Sequence, residues 1–222
     1  MNAGLFVDAL ATIRLDGVFN PYANHCEIFD LPNAAELRRS NLIGYLQAIE
    51  DSGVDTIWMG RDLGYRGGRR TGLALTDESH LSDMKKCYPG SNPKKVTTGS
   101  IVAERTAAEI WAVIKLLDCP PLLWNVFPFH PHESNQPLTN RRFTRKELDL
   151  VDELNHELIS WLGIRRIISI GQDAAKYASN FGVDVETVRH PSYGGVRDFR
   201  EGIKRLYGGI LRSECTNQVA LF

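Results

Sequence analysis

Short apolar runs alternate with amphipathic stretches along most of this chain, and no other sequence feature restricts its fold as strongly. A connection between parallel strands needs a long crossover, and a helix is the usual one. Strands that alternate with helices therefore build a parallel sheet that is covered on both faces. The sequence predicts a three-layer α/β/α fold with a central, mainly parallel four-stranded sheet flanked by helices. The predicted strands are residues 54–60, 122–126, 166–170 and 185–188.

The helical spacing of apolar residues, together with end signals, places the helices between these strands. Asn33 and Thr144 are each followed three residues later by a glutamate, which is the spacing of a capping box, and Gly53 ends the first of these helices. Residues 77–100 and 127–143 are polar and broken by prolines, so we expect long loops there. The predicted helices cover residues 3–14, 34–52, 104–117, 145–162, 173–180 and 196–206.

The length of 222 residues suits one domain with small additions. We divide the chain into an N-terminal appendage (1–32), an α/β domain (33–209) and a C-terminal tail (210–222). The sequence has neither the long apolar run of a membrane span nor the pattern of a signal peptide, so we expect a cytoplasmic protein with no membrane partner. The formal net charge is −1, but basic residues cluster locally, and a local basic face can bind phosphate.

The cysteines and histidines give no metal signature. No two cysteines form a CxxC pair, so we expect reduced and mostly buried thiols rather than a metal or cluster site. His130 and His132 form an HxH pair in a proline-rich loop without a clear third ligand, and we place this pair on the surface. We therefore expect no metal and no other cofactor. The cysteines are Cys26, Cys87, Cys119 and Cys215.

Polar residues stand at or near the carboxyl ends of three predicted strands. The stretch 58–76 begins apolar and then breaks into glycines and arginines, with Asp62 where the strand ends. Asn125 lies in the next strand, and His190 follows the last one. Taken singly, these residues suit a turn or helix cap, a satisfied buried amide and a structural turn. Because open α/β sheets bind ligands at the carboxyl edge, the three together predict one pocket.

Three segments together resemble the motifs of the uracil-DNA glycosylase superfamily. Residues 60–65 (GRDLGY) are similar to the water-activating motif that follows the first strand. Residues 122–126 (LLWNV) are similar to the strand with a base-recognising asparagine, and residues 190–192 (HPS) to the loop that supplies a histidine and pushes into the duplex. The order and spacing match across residues 54–207. The resemblance implies a uracil-DNA glycosylase-like fold and DNA as the partner.

The resemblance also implies a role for each matched residue. Asp62 stabilises the positive charge that develops on the sugar and orients water, and His190 hydrogen-bonds the leaving base. Asn125 presents a donor and an acceptor to the edge of a pyrimidine, which requires the base to leave the stack. The implied base-binding residues are Gly60, Arg61, Gly64, Leu75 and Asn125.

We expect DNA contacts around this pocket. Tyr193, with the glycines that follow it, is the candidate for the element that fills the gap left by the flipped base. Arginines of the stretch 58–76 and of an Asn-Arg-Arg segment at 140–142 are expected to hold the DNA backbone. The expected DNA-binding residues are Arg66, Arg69, Arg70, Arg141, Arg142, Ser192, Tyr193 and Gly194.

Two positions depart from the branch of the family with strict uracil specificity. That branch uses an aromatic residue to block the C5 position of the base, and the equivalent here is Gly64. It stacks the base on a phenylalanine, and the equivalent here is Leu75. Because glycine replaces the blocking aromatic residue, the site is expected to have room for a substituent at C5 of the base. Other branches of the family also carry glycine at the position of Gly64. The paired cysteines of the iron–sulfur branches are absent from this sequence.

These inferences favour a monomeric, monofunctional DNA glycosylase that removes uracil or a C5-modified pyrimidine and leaves an abasic site. No lysine occupies a motif position, so we expect no Schiff-base lyase step. The role would be DNA repair, or antiviral defence against phage DNA with modified cytosines. The main alternative is a non-catalytic module that binds DNA or a base. A third hypothesis is a nucleotide or nucleoside hydrolase, but the sequence has no phosphate-loop motif.

Overall fold

The computed structural model describes residues 1–208, in which strands and helices alternate. The expected tail at 210–222 lies outside the described residues. The strands are β1 (Val18–Phe19), β2 (Thr56–Asp62), β3 (Leu122–Phe127), β4 (His130–Pro131), β5 (Arg166–Ile170) and β6 (Asp184–Val188). The helices are α1 (Ala3–Thr12), α2 (Ala34–Ser52), α3 (Gly68–Thr71), α4 (Leu81–Cys87), α5 (Arg105–Ile114), α6 (Arg145–Asp149), α7 (Asp152–Trp161), α8 (Gln172–Ala178) and α9 (Val196–Tyr207).

The central sheet has four parallel strands in the order β3-β2-β5-β6. The predicted α/β class and its four-stranded parallel sheet are therefore confirmed. In the register of β2 with β3, Gly60 lies opposite Asn125, and Asp62 lies opposite Phe127. Because all four strands run in one direction, their carboxyl ends form a single edge. A separate antiparallel pair, β1 with β4, lies outside this sheet.

Two tryptophans show how helices cover both faces of the sheet. Trp58 and Met59 are neighbours in β2 and so point to opposite faces. The ring of Trp58 packs edge-on against Phe199 of α9, with the centroids 6.1 Å apart. Trp124 is the register partner of Met59, and its ring lies 5.7 Å from that of Phe6 in α1. Helix α1, from the segment predicted as an appendage, thus packs into the main hydrophobic core.

Three of the differences between the structure and the predicted elements concern residues 77–100, Asn33 and the helix after Thr144. Residues 77–100 are not one loop, since the Asp77 side chain caps a short 3₁₀ turn and α4 follows it. Asn33 makes no side-chain cap hydrogen bond, because its backbone lacks the extended conformation that such a cap needs. The capping box at Thr144 is confirmed, but the predicted helix after it is divided into α6 and α7.

Two general expectations about the chain can be compared with the structure. Cys26 is buried and Cys87 is half-buried, but Cys119 is exposed, because it lies with Asp118 in the turn between α5 and β3. The expectation of mostly buried thiols is therefore wrong for Cys119, and Cys215 lies outside the described residues. No helix among residues 1–208 has the length and apolar character needed to cross a membrane.

A buried asparagine joins α7 to β3. Asn155 is 1% exposed, and its Nδ2 donates a hydrogen bond to the carbonyl oxygen of Val126 over 2.8 Å. Its Oδ1 accepts a hydrogen bond from Nε1 of Trp124 over 2.9 Å. One amide thus satisfies two buried groups of the strand that carries Asn125.

We expect Asn155→Leu to lower the free energy of unfolding by about 2–4 kcal/mol, because it leaves the Trp124 N–H and the Val126 carbonyl buried without partners. Urea unfolding followed by tryptophan fluorescence measures this loss. The control is Glu153→Leu at an exposed position of the same helix, which should change stability by less than about 0.5 kcal/mol. Equal midpoints for wild type and Asn155→Leu would contradict the assignment.

Candidate active site

An open cavity of about 830 Å³ lies at the carboxyl edge of the sheet. It is bordered by the ends of β2, β5 and β6, the start of α8 and the loop after β6. Of the predicted site residues, Arg66, Arg69, Arg70, Asn125 and Gly194 do not line it. Those that line it are Gly60, Arg61, Asp62, Gly64, Leu75, Arg141, Arg142, His190, Ser192 and Tyr193.

Asp62 is the last residue of β2 and places a carboxylate at the cavity wall. Nε of Arg61 donates a hydrogen bond to Oδ2 of Asp62 over 2.7 Å. Nη1 of Arg61 also reaches Oδ2 of Asp173 over 3.1 Å, so its guanidinium is held between two carboxylates. Burial raises the pKa of Asp62, and the Arg61 hydrogen bond opposes this rise. The result is an oriented carboxylate of increased basicity at the strand end.

His190 also lines the cavity and lies two residues after the end of β6. The backbone N–H of Ser192 donates to its Nδ1 over 3.2 Å, and the Ser192 hydroxyl oxygen lies 2.5 Å from the same nitrogen. Burial, followed by the charges of Arg189 and Arg61, lowers the pKa of His190, so the ring is neutral at pH 7. Because Nδ1 accepts a hydrogen bond, the ring proton is on Nε2. Nε2 has no partner among residues 1–208 and is free to donate.

Asn125 lies directly beside the cavity residue Gly60. It is 1% exposed, and neither atom of its amide has a hydrogen-bond partner within the described residues. A Cβ on Gly60 would overlap with Oδ1 of Asn125, so only glycine allows this approach. Cδ2 of Leu75 would lie 3.0 Å from the same added Cβ, so Leu75 also packs against Gly60. Leu75 has a positive φ of 53°. A buried polar group without a hydrogen-bond partner costs about 1–3 kcal/mol of stability. The unpaired amide of Asn125 therefore indicates a position where ligand atoms would bind.

Glu104 lines the cavity, although it belongs to none of the sequence motifs. Its backbone N–H donates to Oδ2 of Asp77 over 2.6 Å, and its carboxyl oxygens stand beside Gly64 and Gly67. Burial, followed by the Asp77 carboxylate, raises the pKa of Glu104 to about 7. The available sequence signal was its place immediately before α5, where an acidic side chain often interacts with its own helix. Here the side chain makes no such cap hydrogen bond.

Two predicted phosphate-binding arginines are buried. Arg69 is 3% exposed, and its guanidinium lies 3.7 Å from the centre of the Phe19 ring. Arg70 is 7% exposed and pairs with Glu78 at 3.2 Å. The expectation that Arg69 and Arg70 bind phosphate is therefore corrected, because α3 directs both side chains into the protein. They hold the loop after β2 in place.

Of the other predicted DNA-binding arginines, Arg141 and Arg142 line the cavity and Arg66 does not. Arg66 is exposed, and the side chain of Arg142 is 73% exposed, with one ion pair to Asp173 at 3.1 Å. Arg141 is held more firmly, since it pairs with Glu147 at 2.6 Å and donates to two backbone carbonyls on neighbouring segments. Arg66 and Arg142 are thus the better placed of these three to meet an anion from solvent.

His130 is buried, so the predicted surface position of the HxH pair is wrong for this residue. The pairing of β4 with β1 carries its side chain inward. Its Nε2 lies 2.7 Å from the carbonyl oxygen of Thr139, and Nη1 of Arg69 lies 3.0 Å from its Nδ1. Burial and the Arg69 charge lower the pKa of His130 to about 3. Across residues 1–208, no group of three or more His, Cys, Asp or Glu side chains is arranged to hold a metal ion.

The loop after His190 presents an exposed aromatic side chain at the mouth of the cavity. Tyr193 is 97% exposed and has a positive φ of 52°, and Gly194 follows with a φ of 77°. Two successive left-handed residues make a sharp turn, which is uncommon for a bulky side chain. The turn projects the Tyr193 ring away from the protein.

We expect Glu104→Gln to stabilise the protein at high pH but not at low pH. In the wild type, folded Glu104 keeps its proton up to about pH 7, whereas an unfolded glutamate loses it near pH 4.3. Wild-type stability is therefore lost between these pH values, by roughly 1–3 kcal/mol in total. Urea unfolding near pH 4 and near pH 8 measures the difference. A stability difference between the two proteins that does not depend on pH would contradict the assignment.

No protein-family model matches this chain, and no curated protein sequence matches it. Solved structures do share its architecture. The crystal structure of wild-type SMUG2 from Pedobacter heparinus is similar, with a TM-score of 0.59 and 16% sequence identity, over 91% of this chain and 93% of that one. At this identity the similarity shows a common fold, which spans almost the whole of both chains.

Proposed function

We propose that this chain is a monofunctional DNA glycosylase that hydrolyses the N-glycosidic bond of uracil or a C5-modified pyrimidine. The observation that carries the proposal is that two different groups line one cavity and a third lies directly beside it. These are the Asp62 carboxylate, the neutral His190 ring and the unpaired Asn125 amide beneath Gly60. The shared fold with SMUG2, a glycosylase of the uracil-DNA glycosylase superfamily, supports this class of reaction.

Asp62 would act at the sugar. As the C1′–N1 bond breaks, its electron pair leaves with the base and positive charge develops on the sugar. The Asp62 carboxylate stabilises this charge and accepts a proton from the water whose oxygen bonds to C1′. Partial burial strengthens the attraction, because the local dielectric constant is lower than in water. The contact with Arg61 holds the carboxylate in one orientation.

His190 would act at the base. Negative charge develops on O2 of the pyrimidine as the bond breaks, and the Nε2–H of His190 can donate a hydrogen bond to that oxygen. The hydrogen bond from Ser192 to Nδ1 fixes the ring orientation before the reaction begins. A donor that is already in place stabilises developing charge without further rearrangement, which is an effective form of catalysis.

Asn125 would recognise the base. Its amide offers one acceptor and two donors, which suits N3 and the 4-substituent of a pyrimidine. Binding would satisfy the amide atoms that have no partner in the unbound protein. The side chain of Leu75 supplies an aliphatic surface against which the ring can pack. A base can reach this depth only after it leaves the duplex stack, so the proposal includes base flipping.

The rim of the cavity would hold the DNA. Tyr193 projects from the loop next to His190 and would fill the gap left by the flipped base. Arg66 and Arg142 would contact the flanking phosphates. No lysine lines the cavity formed by the described residues, which supports hydrolysis without a Schiff-base step.

The substrate range follows from the wall at Gly64. Gly64 lines the cavity and carries no side chain that would block a group on C5 of the base. Uracil release would serve DNA repair, and release of enlarged cytosines would serve defence against phage DNA. Duplexes that carry uracil, or hydroxymethylated or glucosylated cytosine, distinguish these two roles when strand breaks at abasic sites are measured after hot alkali.

We expect Asp62→Asn to reduce single-turnover cleavage of the preferred duplex by about 10²–10⁴-fold, and His190→Ala by about 10²–10³-fold, while both variants stay folded. Asp62→Asn removes the charge that stabilises the sugar cation, and His190→Ala removes the donor to O2. Cleavage is measured after hot alkali, with thermal unfolding of each variant as the test of folding.

The matched controls are Asp55→Asn, just before the opposite end of β2, and His156→Ala on the exposed surface of α7. Neither should change the cleavage rate. If the wild type binds DNA but cleaves none of the bases, the chain is a binding module and the catalytic roles of Asp62 and His190 fail. Release of bases from free nucleosides but not from DNA would instead favour a nucleoside hydrolase.

We expect Tyr193→Ala to slow cleavage of duplex DNA by at least about tenfold, since opening a stacked pair costs a few kcal/mol that the inserted ring offsets. Cleavage of the same base in single-stranded DNA should stay within about twofold of wild type, because no stacked pair has to be opened. The ratio of the two rates is the measurement. An equal loss on both substrates would remove Tyr193 from the flipping step.

A further inference from the structure

The Asp173 side chain, in the first turn of α8, joins two arginines that have different surroundings. Nη1 of Arg61 lies 3.1 Å from Oδ2 of Asp173, and Nη2 of Arg142 lies 3.1 Å from the same oxygen atom. The first arginine belongs to β2, and the second belongs to the segment between β4 and α6. One carboxylate oxygen is therefore shared by an arginine beside Asp62 and an arginine at the surface.

The backbone before α8 determines where Asp173 lies. Gly171 has a φ of 91°, and its N–H donates a hydrogen bond to the carbonyl oxygen of Val188 over 2.8 Å. A Cβ on Gly171 would lie 3.0 Å from Cβ of His190, so the chain passes close to the loop after β6. Two residues later, Asp173 lines the cavity together with both of its arginines. The carboxylate is thus part of the cavity wall.

The two ion pairs of Asp173 differ in exposure. The side chain of Arg142 is 73% exposed, whereas the side chains of Arg61 and Asp62 are 30% and 9% exposed. An exposed ion pair contributes little to stability, so little is lost when one partner is exchanged for another. Phosphate accepts two parallel hydrogen bonds from a guanidinium group, which makes it a strong competitor for Arg142. A DNA phosphate can therefore take Arg142 away from Asp173.

The charge balance in the cavity wall would change when Arg142 leaves. Asp173 would then have only Arg61 beside it, and its attraction for that guanidinium would increase because less positive charge compensates the carboxylate. Nε of Arg61 also donates to Oδ2 of Asp62 over 2.7 Å, so the two carboxylates compete for one cation. A stronger attraction to Asp173 would leave more negative charge on Asp62, where the sugar cation forms.

Charged side chains from several segments act on Asp62. Burial raises its pKa, Arg61 and Arg141 lower it, and Asp173 raises it again. Burial and neighbouring carboxylates, Asp62 among them, also raise the pKa of Glu104 just before α5. Within this set, Asp173 pairs both with Arg61 and with an exposed arginine, which connects Asp62 to the surface.

We propose that Asp173 is a positioning residue that couples a DNA phosphate at Arg142 to the Asp62 carboxylate. This inference rests on the proposed glycosylase function and adds a control of the same site by its substrate. Contact with the phosphate removes Arg142 from Asp173, and Asp173 then holds Arg61 more strongly. Asp173 acts through Arg61 and does not touch the reacting atoms. The site would therefore become fully reactive only when the DNA backbone is in place.

The test separates DNA affinity from the rate at saturating DNA, both measured in single-turnover cleavage of the preferred duplex. Asp173→Asn keeps the shape of the side chain but removes its charge, so Arg61 stays on Asp62 whether or not DNA is bound. We expect this variant to lower the saturating rate by about tenfold, less than the 10²–10³-fold typical of losing a group that contacts the reacting atoms. Arg142→Ala should instead weaken DNA affinity without lowering the saturating rate, because Asp173 is already left to Arg61.

The pH dependence of the saturating rate is the second measurement. The rate should fall at low pH as Asp62 takes up a proton. Asp173 adds to the effect of burial on Asp62, whose pKa is raised, and opposes the effect of burial on His190, whose pKa is lowered. Removing the charge of Asp173 lowers both pKa values, so the acidic limb should move to lower pH in Asp173→Asn. Damage to packing alone would reduce the rate without moving this limb.

The control is Asp149→Asn, since Asp149 lies on α6 outside the cavity and pairs with Arg145. It should match the wild type in affinity, saturating rate and pH profile. The inference is overturned if Asp173→Asn keeps the wild-type saturating rate, if its acidic limb does not move, or if Arg142→Ala lowers the saturating rate as much as Asp173→Asn does. A wild type that releases no base from DNA contradicts the proposed function itself, and is therefore distinguishable from these three results.

Discussion

The parallel pairing of β2 with β3 and β5 is the constraint on which the candidate site depends. It places the end of β2, with Asp62, at the same edge as the ends of its neighbours. It also sets Gly60 opposite Asn125, so that the amide approaches the strand where no side chain intervenes. A slip of one residue in this register would move each side chain of β2 to the opposite face of the sheet. Side chains that now border the cavity would then point away from it. Fold and site are thus fixed by the same hydrogen bonds.

A second constraint comes from arginines inside the protein. Arg38 is fully buried, pairs with Asp30 and donates to the carbonyl oxygen of Arg70. Arg70 in turn pairs with Glu78. Removing one member of such a buried pair is strongly destabilising, because it leaves the other charge without compensation. These contacts keep α3 and the following residues, including Leu75, in place beside the cavity.

The sequence predicted the elements better than it predicted the surroundings of individual charged side chains. Strand and helix patterns are local, and the alternation was enough to place Asp62 and His190 at one edge. Burial of Arg69 depends on Phe19, and burial of Arg70 depends on Glu78, which are contacts that no local pattern contains. The position of Glu104 beside Gly64 likewise depends on how α5 crosses back over the sheet. Such relations become visible only when distant segments are packed together.

The burial of two of the three arginines between β2 and the end of α3 has a consequence for how the protein responds to ionic strength. When a polyanion binds to this face, the number of counterions released increases with the number of exposed cationic side chains that it contacts. Arg69 and Arg70 are buried and already contact His130 and Glu78, so they contribute little to that exchange. Added salt would therefore weaken such an association less steeply than the arginine-rich sequence suggests.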